Sequence, residues 1–220
     1  MTDLANRRPL KSRDSAWARG FARSLARAGV SPDTVSFLSF AFALAGAAAL
    51  ADSGQLSGSW RILALALAAL AIQLRLLCNL LDGMVAVEHG RGGPYGPIWN
   101  ELPDRLSDAV LMIGAGLAAG SAGGFVGPAL GFTCALLAVL TAYVRELGRG
   151  LGQPADFAGP MAKPQRMAVL TLAALAAAAE DLWHGRGQSL LWALALIAAL
   201  TALTTARRVA RLAKGLKARA

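Results

Sequence analysis

Asn79, Asp82, Gly83 and Ala86 stand at i, i+3, i+4 and i+7, and Asn100, Asp104 and Asp108 stand at i, i+4 and i+8. Each set falls on one face of an α-helix, since residues at these separations lie above one another. The segments that carry them are otherwise apolar and of membrane-spanning length. Carboxylates at the ends of such segments are costly and mark a functional site by default. Two such faces brought together make an oxygen-rich site suited to a hard cation, Mg²⁺ or Mn²⁺. Helix caps and solvated loop charges are the alternative, but a loop would not keep both registers. Glu101, beside Asn100, Glu88, further along the first face, and Asp108 extend the acidic set.

The elements that must position these residues are helical. The chain has 220 residues, of which 55% are apolar. Its mean hydropathy of +0.48 is not that of an ordinary soluble domain. The expected fold is all-α: a polytopic membrane protein with six transmembrane helices, over about 33–52, 61–86, 104–121, 125–147, 165–182 and 187–208. Ser31-Pro32-Asp33-Thr34 supplies an N-cap and a first-turn proline for the first span. The expected organisation is a basic N-terminal segment (1–31), one membrane domain (32–210) and a basic tail (211–220). Within the first segment, residues 15–28 read as an amphipathic interfacial helix. Trp17, Phe21 and Leu25 form an apolar stripe there, opposite Arg19, Arg23 and Arg27. The first 31 residues lack the apolar core of a cleavable signal.

Charge sets the expected orientation. All of the 22 lysines and arginines except Arg61, Arg75 and Arg186 fall in the N-terminal segment, in the basic run that leads into the tail from Arg207 onward, or in and beside the connections 87–103 and 148–164. Lysine and arginine favour the cytoplasmic side, so both termini and the acidic motif are expected there. The net charge of +9 then reflects topology and attraction to anionic lipid. No nucleic-acid partner is expected, because the basic residues are spread over several loops without a binding module.

Arg75 lies one turn before Asn79, and Asp108 one turn beyond Asp104 on the antiparallel helix. If Asn79 and Asp104 are level, Arg75 and Asp108 are level too and form an ion pair closing the floor of the site. Snorkelling of Arg75 toward the interface is the alternative. Lys163 and Arg166, at the mouth of the fifth span, suit an acceptor or lipid phosphate, although topology alone also favours basic residues there. Cys78 and Cys134 read as small buried thiols, and His89 and His184 as isolated loop residues. Gly116/Gly120 and Gly127/Gly131 are spaced for close helix approach.

The 79–108 pattern resembles the signature of the CDP-alcohol phosphatidyltransferases, D-x-x-D-G-x-x-A-R, a spacer, then G-x-x-x-D-x-x-x-D. Asn79 and Asp82 take the first two aspartate positions, followed by Gly83 and Ala86; Gly96 takes the second glycine, and Asn100 and Asp104 the last two aspartates. The chain departs from the pattern at Asn79, at Asn100 and at Val87, which stands where the family has arginine.

The resemblance implies a metal-dependent enzyme that moves a phosphatidyl or related group from a CDP-linked donor to an alcohol, releasing CMP. It implies metal held by Asn79, Asp82, Asn100 and Asp104, with Glu101 and Asp108 as further candidates, and Asp104 as general base. Gly83, Ala86 and Gly96 would adjoin the CDP moiety. A homodimer in a bacterial inner membrane is implied as well. The alternative is a catalytically reduced member that binds a CDP-lipid or a partner without turnover. A transporter fits less well, because the acids cluster at one end of the helices and not at the midplane.

Overall fold

Among the described residues, five helical stretches are long and apolar enough to cross a bilayer: Pro32–Ser53, Gly58–Ala86, Glu101–Gly123, Val126–Gly150 and Gln188–Lys217. The computed structural model describes residues 15–88, 95–183 and 185–219, and gives no strand among them. Its helices are α1 (Ala16–Arg27), α2 (Pro32–Ser53), α3 (Gly58–Glu88), α4 (Gly96–Gly123), α5 (Val126–Gly150), α6 (Lys163–Ala178) and α7 (Gln188–Lys217). The helices alternate in direction. The starts of α2, α4 and α6 therefore meet the ends of α3, α5 and α7 at one pole of the bundle.

Local sequence explains several boundaries. The Ser31 hydroxyl accepts from the Thr34 amide at 3.1 Å and Pro32 opens α2, as its capping sequence predicts. The expected fifth span is shorter than the sequence suggests. The α6 helix has 16 residues, and the chain then tightens into a 3-10 turn at Glu180–Trp183. The reason is Glu180, which is drawn inward. Its carboxylate meets the Arg61 guanidinium at 2.7 Å and accepts from the amides of Gly187 and Ser189 at the start of α7. Of the expected tail, residues up to Lys217 continue α7 as helix.

The core mixes many alanines with Leu, Ile and Met such as Leu65, Ile72, Met112 and Leu194, while many other large side chains face outward. Ala43, Ala68, Ala115, Ala119 and Ala174 are buried, whereas Leu67, Leu70, Leu136, Leu172 and Trp192 are exposed. Large apolar side chains on the outside suit contact with lipid, and the small ones inside let backbones approach closely. The two glycine pairs interlock. A Cβ on Gly127 would lie 2.4 Å from the Gly120 nitrogen, and one on Gly116 would lie 2.7 Å from the Gly131 Cα. Gly127→Ala is therefore expected to cost about 1–3 kcal/mol of stability by forcing α4 and α5 apart. Gly20→Ala, with open space around its Cβ, should be neutral or slightly stabilising. Thermal unfolding of the two purified variants in one detergent, at one scan rate, checks both expectations.

The α1 helix forms where expected, but the face it turns to the protein is Ala18, Ala22 and Ala26. These alanines lie against the end of α3, around Leu81, Met84 and Val85. Trp17 and Phe21 remain exposed. Cys78 and Cys134 are buried free thiols. Arg7, Arg8, Lys11, Arg13, His89, Arg91 and His184 lie outside the described residues.

Candidate active site

Asn79 and Asp104 are level. The Asn79 amide Nδ2 donates to Asp104 Oδ1 at 2.7 Å, which fixes the register of α3 against α4. One turn deeper, Arg75 Nη2 reaches Asp108 Oδ1 at 2.6 Å and also Asp104 Oδ1 at 2.8 Å. Arg75 has no exposed surface, so it does not snorkel; it is buried behind Asn79 and Asp104, which line the site, and is not itself part of the lining. The turn-by-turn arithmetic of the sequence thus places this pair correctly. The second oxygen of Asp108 is held by Arg166 at 2.9 Å.

Asp104 is the hub. Besides Arg75 and Asn79, it takes a hydrogen bond from the Lys163 ammonium and one from Arg105 at 2.9 Å. Glu101 is tied to Arg105 and, at 2.7 Å, to Arg145. In this arrangement guanidinium groups take up both oxygens of Asp108 and one oxygen of Glu101, the two acids outside the motif positions.

Asp82 is different. It is 4% exposed. Its Oδ2 accepts from the Ser36 hydroxyl at 2.7 Å, while its buried Oδ1 has no hydrogen-bond partner. Ser39, one turn along α2, donates to Asn79 Oδ1 at 2.6 Å. Sequence reasoning passed over both serines. The signal lay in the small-residue face of α2, since Ser36, Ser39, Ala43 and Gly46 fall at helical spacing. A face that small lets α3 approach closely enough for short hydroxyls to reach its polar residues.

These side chains open onto one cavity of 540 Å³. Asn79, Asp82, Gly83 and Asp104 line one part of it, and Arg145, Lys163, Arg166 and Arg208 line another. The second wall depends on the α5–α6 connection. The Met161 amide donates to the Thr204 hydroxyl at 3.0 Å, and Arg208 donates to the carbonyls of Ala158 and Thr141, both at 3.0 Å. The Arg145 guanidinium stacks over Phe157, 5.4 Å from the ring centre. Arg208 had counted only as part of a basic tail, since nothing in the sequence shows that α7 folds back over this loop. Ala86 lies one turn beyond Asp82 and is half-buried, and Gly96 opens α4. The side chain of Asn100, like that of Glu88, lies outside the described residues.

Among the described residues, no three of His, Cys, Asp and Glu are placed to hold a metal ion on their own. Magnesium, however, is commonly held by one or two carboxylates together with substrate phosphates and water. The unpartnered Oδ1 of Asp82, beside the oxygens of Asp104, fits that smaller requirement.

Fold and cavity together define a polytopic helical membrane protein with a chamber lined by carboxylates and basic side chains at one pole of its bundle. No family model matches the chain. Among curated proteins it is 28% identical over 155 residues to the phosphatidylinositol phosphate synthase of Streptomyces avermitilis, covering 70% of this chain and 60% of that protein. It is 29% identical over 160 residues to the enzyme of the same name from Mycolicibacterium smegmatis, covering 71% and 67%. It is also 34% identical over 152 residues to a bifunctional IPC transferase and DIPP synthase of Rubrobacter xylanophilus, covering 66% of this chain and 31% of that protein. The fold matches crystal structures of Mycobacterium tuberculosis phosphatidylinositol phosphate synthase. With CDP-DAG bound, that protein aligns with a TM-score of 0.73 at 22% identity, over 90% of this chain and 94% of the other. In complex with manganese and citrate it aligns with a TM-score of 0.70 at 23% identity, over 89% and 88%. The chain is thus similar in sequence to phosphatidylinositol phosphate synthases, spans about 60–67% of the length of the first two, and shares the fold of the solved one.

Proposed function

We propose that this chain transfers a phosphatidyl group from a CDP-linked lipid, such as CDP-diacylglycerol, to an alcohol, with release of CMP, in phospholipid biosynthesis. The observation that carries this reading is one cavity with two unlike walls. Asp82, Gly83 and Asp104 carry the spacing that the family resemblance assigns to the CDP-linked donor. Arg145, Lys163, Arg166 and Arg208 suit an anion, and the names of the relatives support an acceptor that itself bears phosphate.

Each residue has a role in this scheme. Asp104 accepts the hydroxyl proton of the acceptor. Arg75 and Asn79 hold its carboxylate in place from the bundle interior. Lys163, now on Asp104 Oδ1, passes to the acceptor phosphate, which lessens the positive charge around the carboxylate and leaves Oδ2, where Arg105 donates, to take the proton. Arg166 anchors Asp108 and faces the same cavity. Asp82 and Asp104, with Asn79 and Asn100, would hold Mg²⁺ or Mn²⁺, which when bound neutralises the diphosphate and helps CMP leave.

We place six crossings in the bilayer, counting α6, with both termini and the cavity on the cytoplasmic side of a bacterial inner membrane. The crowding of basic residues at the cavity pole supports that orientation. In this arrangement α1 lies in the interface with Trp17 and Phe21 toward lipid. A homodimer, implied by the family resemblance, completes the reading.

The test is CMP release by the purified chain from CDP-diacylglycerol and a pool of alcohols, phosphorylated and not, with Mg²⁺ or Mn²⁺ and with chelator. Release that needs the metal is expected. Lys163→Gln should raise KM for a phosphorylated acceptor at least about tenfold, the worth of one charge-assisted hydrogen bond. An unchanged KM would remove Lys163 from the acceptor site. One observation favours a second reading, binding without turnover: both oxygens of Asp104 are engaged by cationic donors. Binding of CDP-diacylglycerol with no CMP release from any alcohol would select it.

A further inference from the structure

The motif has lost two carboxylates, at Asn79 and Asn100, yet cationic groups crowd what remains. Asp104 faces Arg75, Arg105 and Lys163, and Asp108 faces Arg75 and Arg166. Among these three aspartates, only Asp82 has no cation at salt-bridge distance, although Lys163 lies near enough to act on it through space. Asp82 is nearly fully buried, its Oδ2 is fixed by Ser36, and its Oδ1 has no hydrogen-bond partner. A buried carboxylate oxygen with no donor is costly unless something of opposite charge meets it.

Arg75 supplies the complementary observation. A single nitrogen, Nη2, serves both Asp104 and Asp108 from within the bundle, so one fixed positive charge neutralises two acids. Asn79 is turned the same way. Its amide nitrogen donates to Asp104 and its oxygen is taken by Ser39, whereas an aspartate there would add a third acid to this cluster. Asparagine at this position and arginine one turn below it are thus matched. Each lowers the need for a mobile cation on the Asp104 side.

We infer that this centre takes a single divalent cation, seated on Asp82 and oriented through Ser36, and that Arg75 permanently supplies the positive charge that would otherwise call for a second cation beside Asp104. The inference deepens the transfer reading above and rests on it for the cavity's use, but it concerns the number of ions held. The site is half built of metal and half of protein charge.

Manganese titration of the full chain in detergent micelles, followed by the electron paramagnetic resonance of free Mn²⁺, reads that number directly. One Mn²⁺ per chain is expected. Asp82→Asn should remove it, and Ser36→Ala, which only releases the carboxylate, should weaken it by about tenfold. In the double variant Arg75→Gln/Asn79→Asp the count should rise to two. Two ions on the unaltered chain, no ion at all, or an ion that survives Asp82→Asn would overturn the inference. Should the double variant fail to elute as a folded species on gel filtration, the unaltered chain and Asp82→Asn decide the matter alone. CMP release is measured beside these titrations. Two ions with turnover defeats the inference and leaves the transfer reading intact, whereas one ion without turnover does the reverse.

Discussion

Asp104→Asn is expected to lower CMP release by about 10²- to 10⁴-fold while leaving the protein folded. The asparagine keeps a carbonyl oxygen that can accept from Arg75 and Asn79, so the contact between α3 and α4 has a means to persist. What disappears is the group able to take a proton from the acceptor. The effect should fall on kcat more than on the KM of the donor, since Asp82 and Gly83 are untouched. A variant that retained wild-type kcat would show that Asp104 is a structural hub and no base. A loss traced wholly to failed folding, by gel filtration and thermal unfolding, would likewise deny it a chemical role.

Arg75→Met is expected to destabilise the bundle by about 3–5 kcal/mol, the usual result of removing one partner from a buried ion cluster. Arg75 is fully buried, and both acids that depend on it lie on α4, which leaves Asp104 and Asp108 facing each other with less neutralisation. Methionine matches the length of the arginine stem, so lost packing contributes little. Adding Asp108→Asn to Arg75→Met should recover part of the loss, because the second acid no longer needs compensation. Thermal unfolding of the two single variants and the double, under identical detergent and scan rate, measures the coupling. A double variant no more stable than the worse single one would mean that the pair is not energetically linked.

How far the site was legible in the sequence can be argued residue by residue. Helical spacing makes Arg75 level with Asp108 once Asn79 is level with Asp104, because one turn back on a helix matches one turn on along its antiparallel neighbour; that Asn79 and Asp104 are level is what the packed helices add. The glycine pairs also carry their message in their spacing, although the fact that they mesh with each other needs the packed helices. Contacts between distant segments were not readable. Ser36 meets Asp82 across 46 residues of sequence and Arg61 meets Glu180 across 119, and no local periodicity encodes such pairings. The shortening of the expected fifth span has the same origin, since Glu180 is drawn toward Arg61 and α6 ends before it. Arg208 was legible as a charge and not as a wall of the cavity. A count of basic residues reports which side of a membrane they occupy, not what they face.

If α6 is the further crossing proposed above, its brevity has a consequence for the lipid around it. Its 16 residues extend only about 24 Å, against a hydrocarbon layer of about 30 Å. Such hydrophobic mismatch is relieved by thinning the bilayer or by drawing polar groups inward, at a modest cost per ångström. Lys163 stands at the first residue of this helix, so any inward draw carries the phosphate-suited wall of the cavity below the head-group plane. A charged, water-borne acceptor and a CDP-linked lipid would then meet at an intermediate depth, and neither would have to leave its own phase completely.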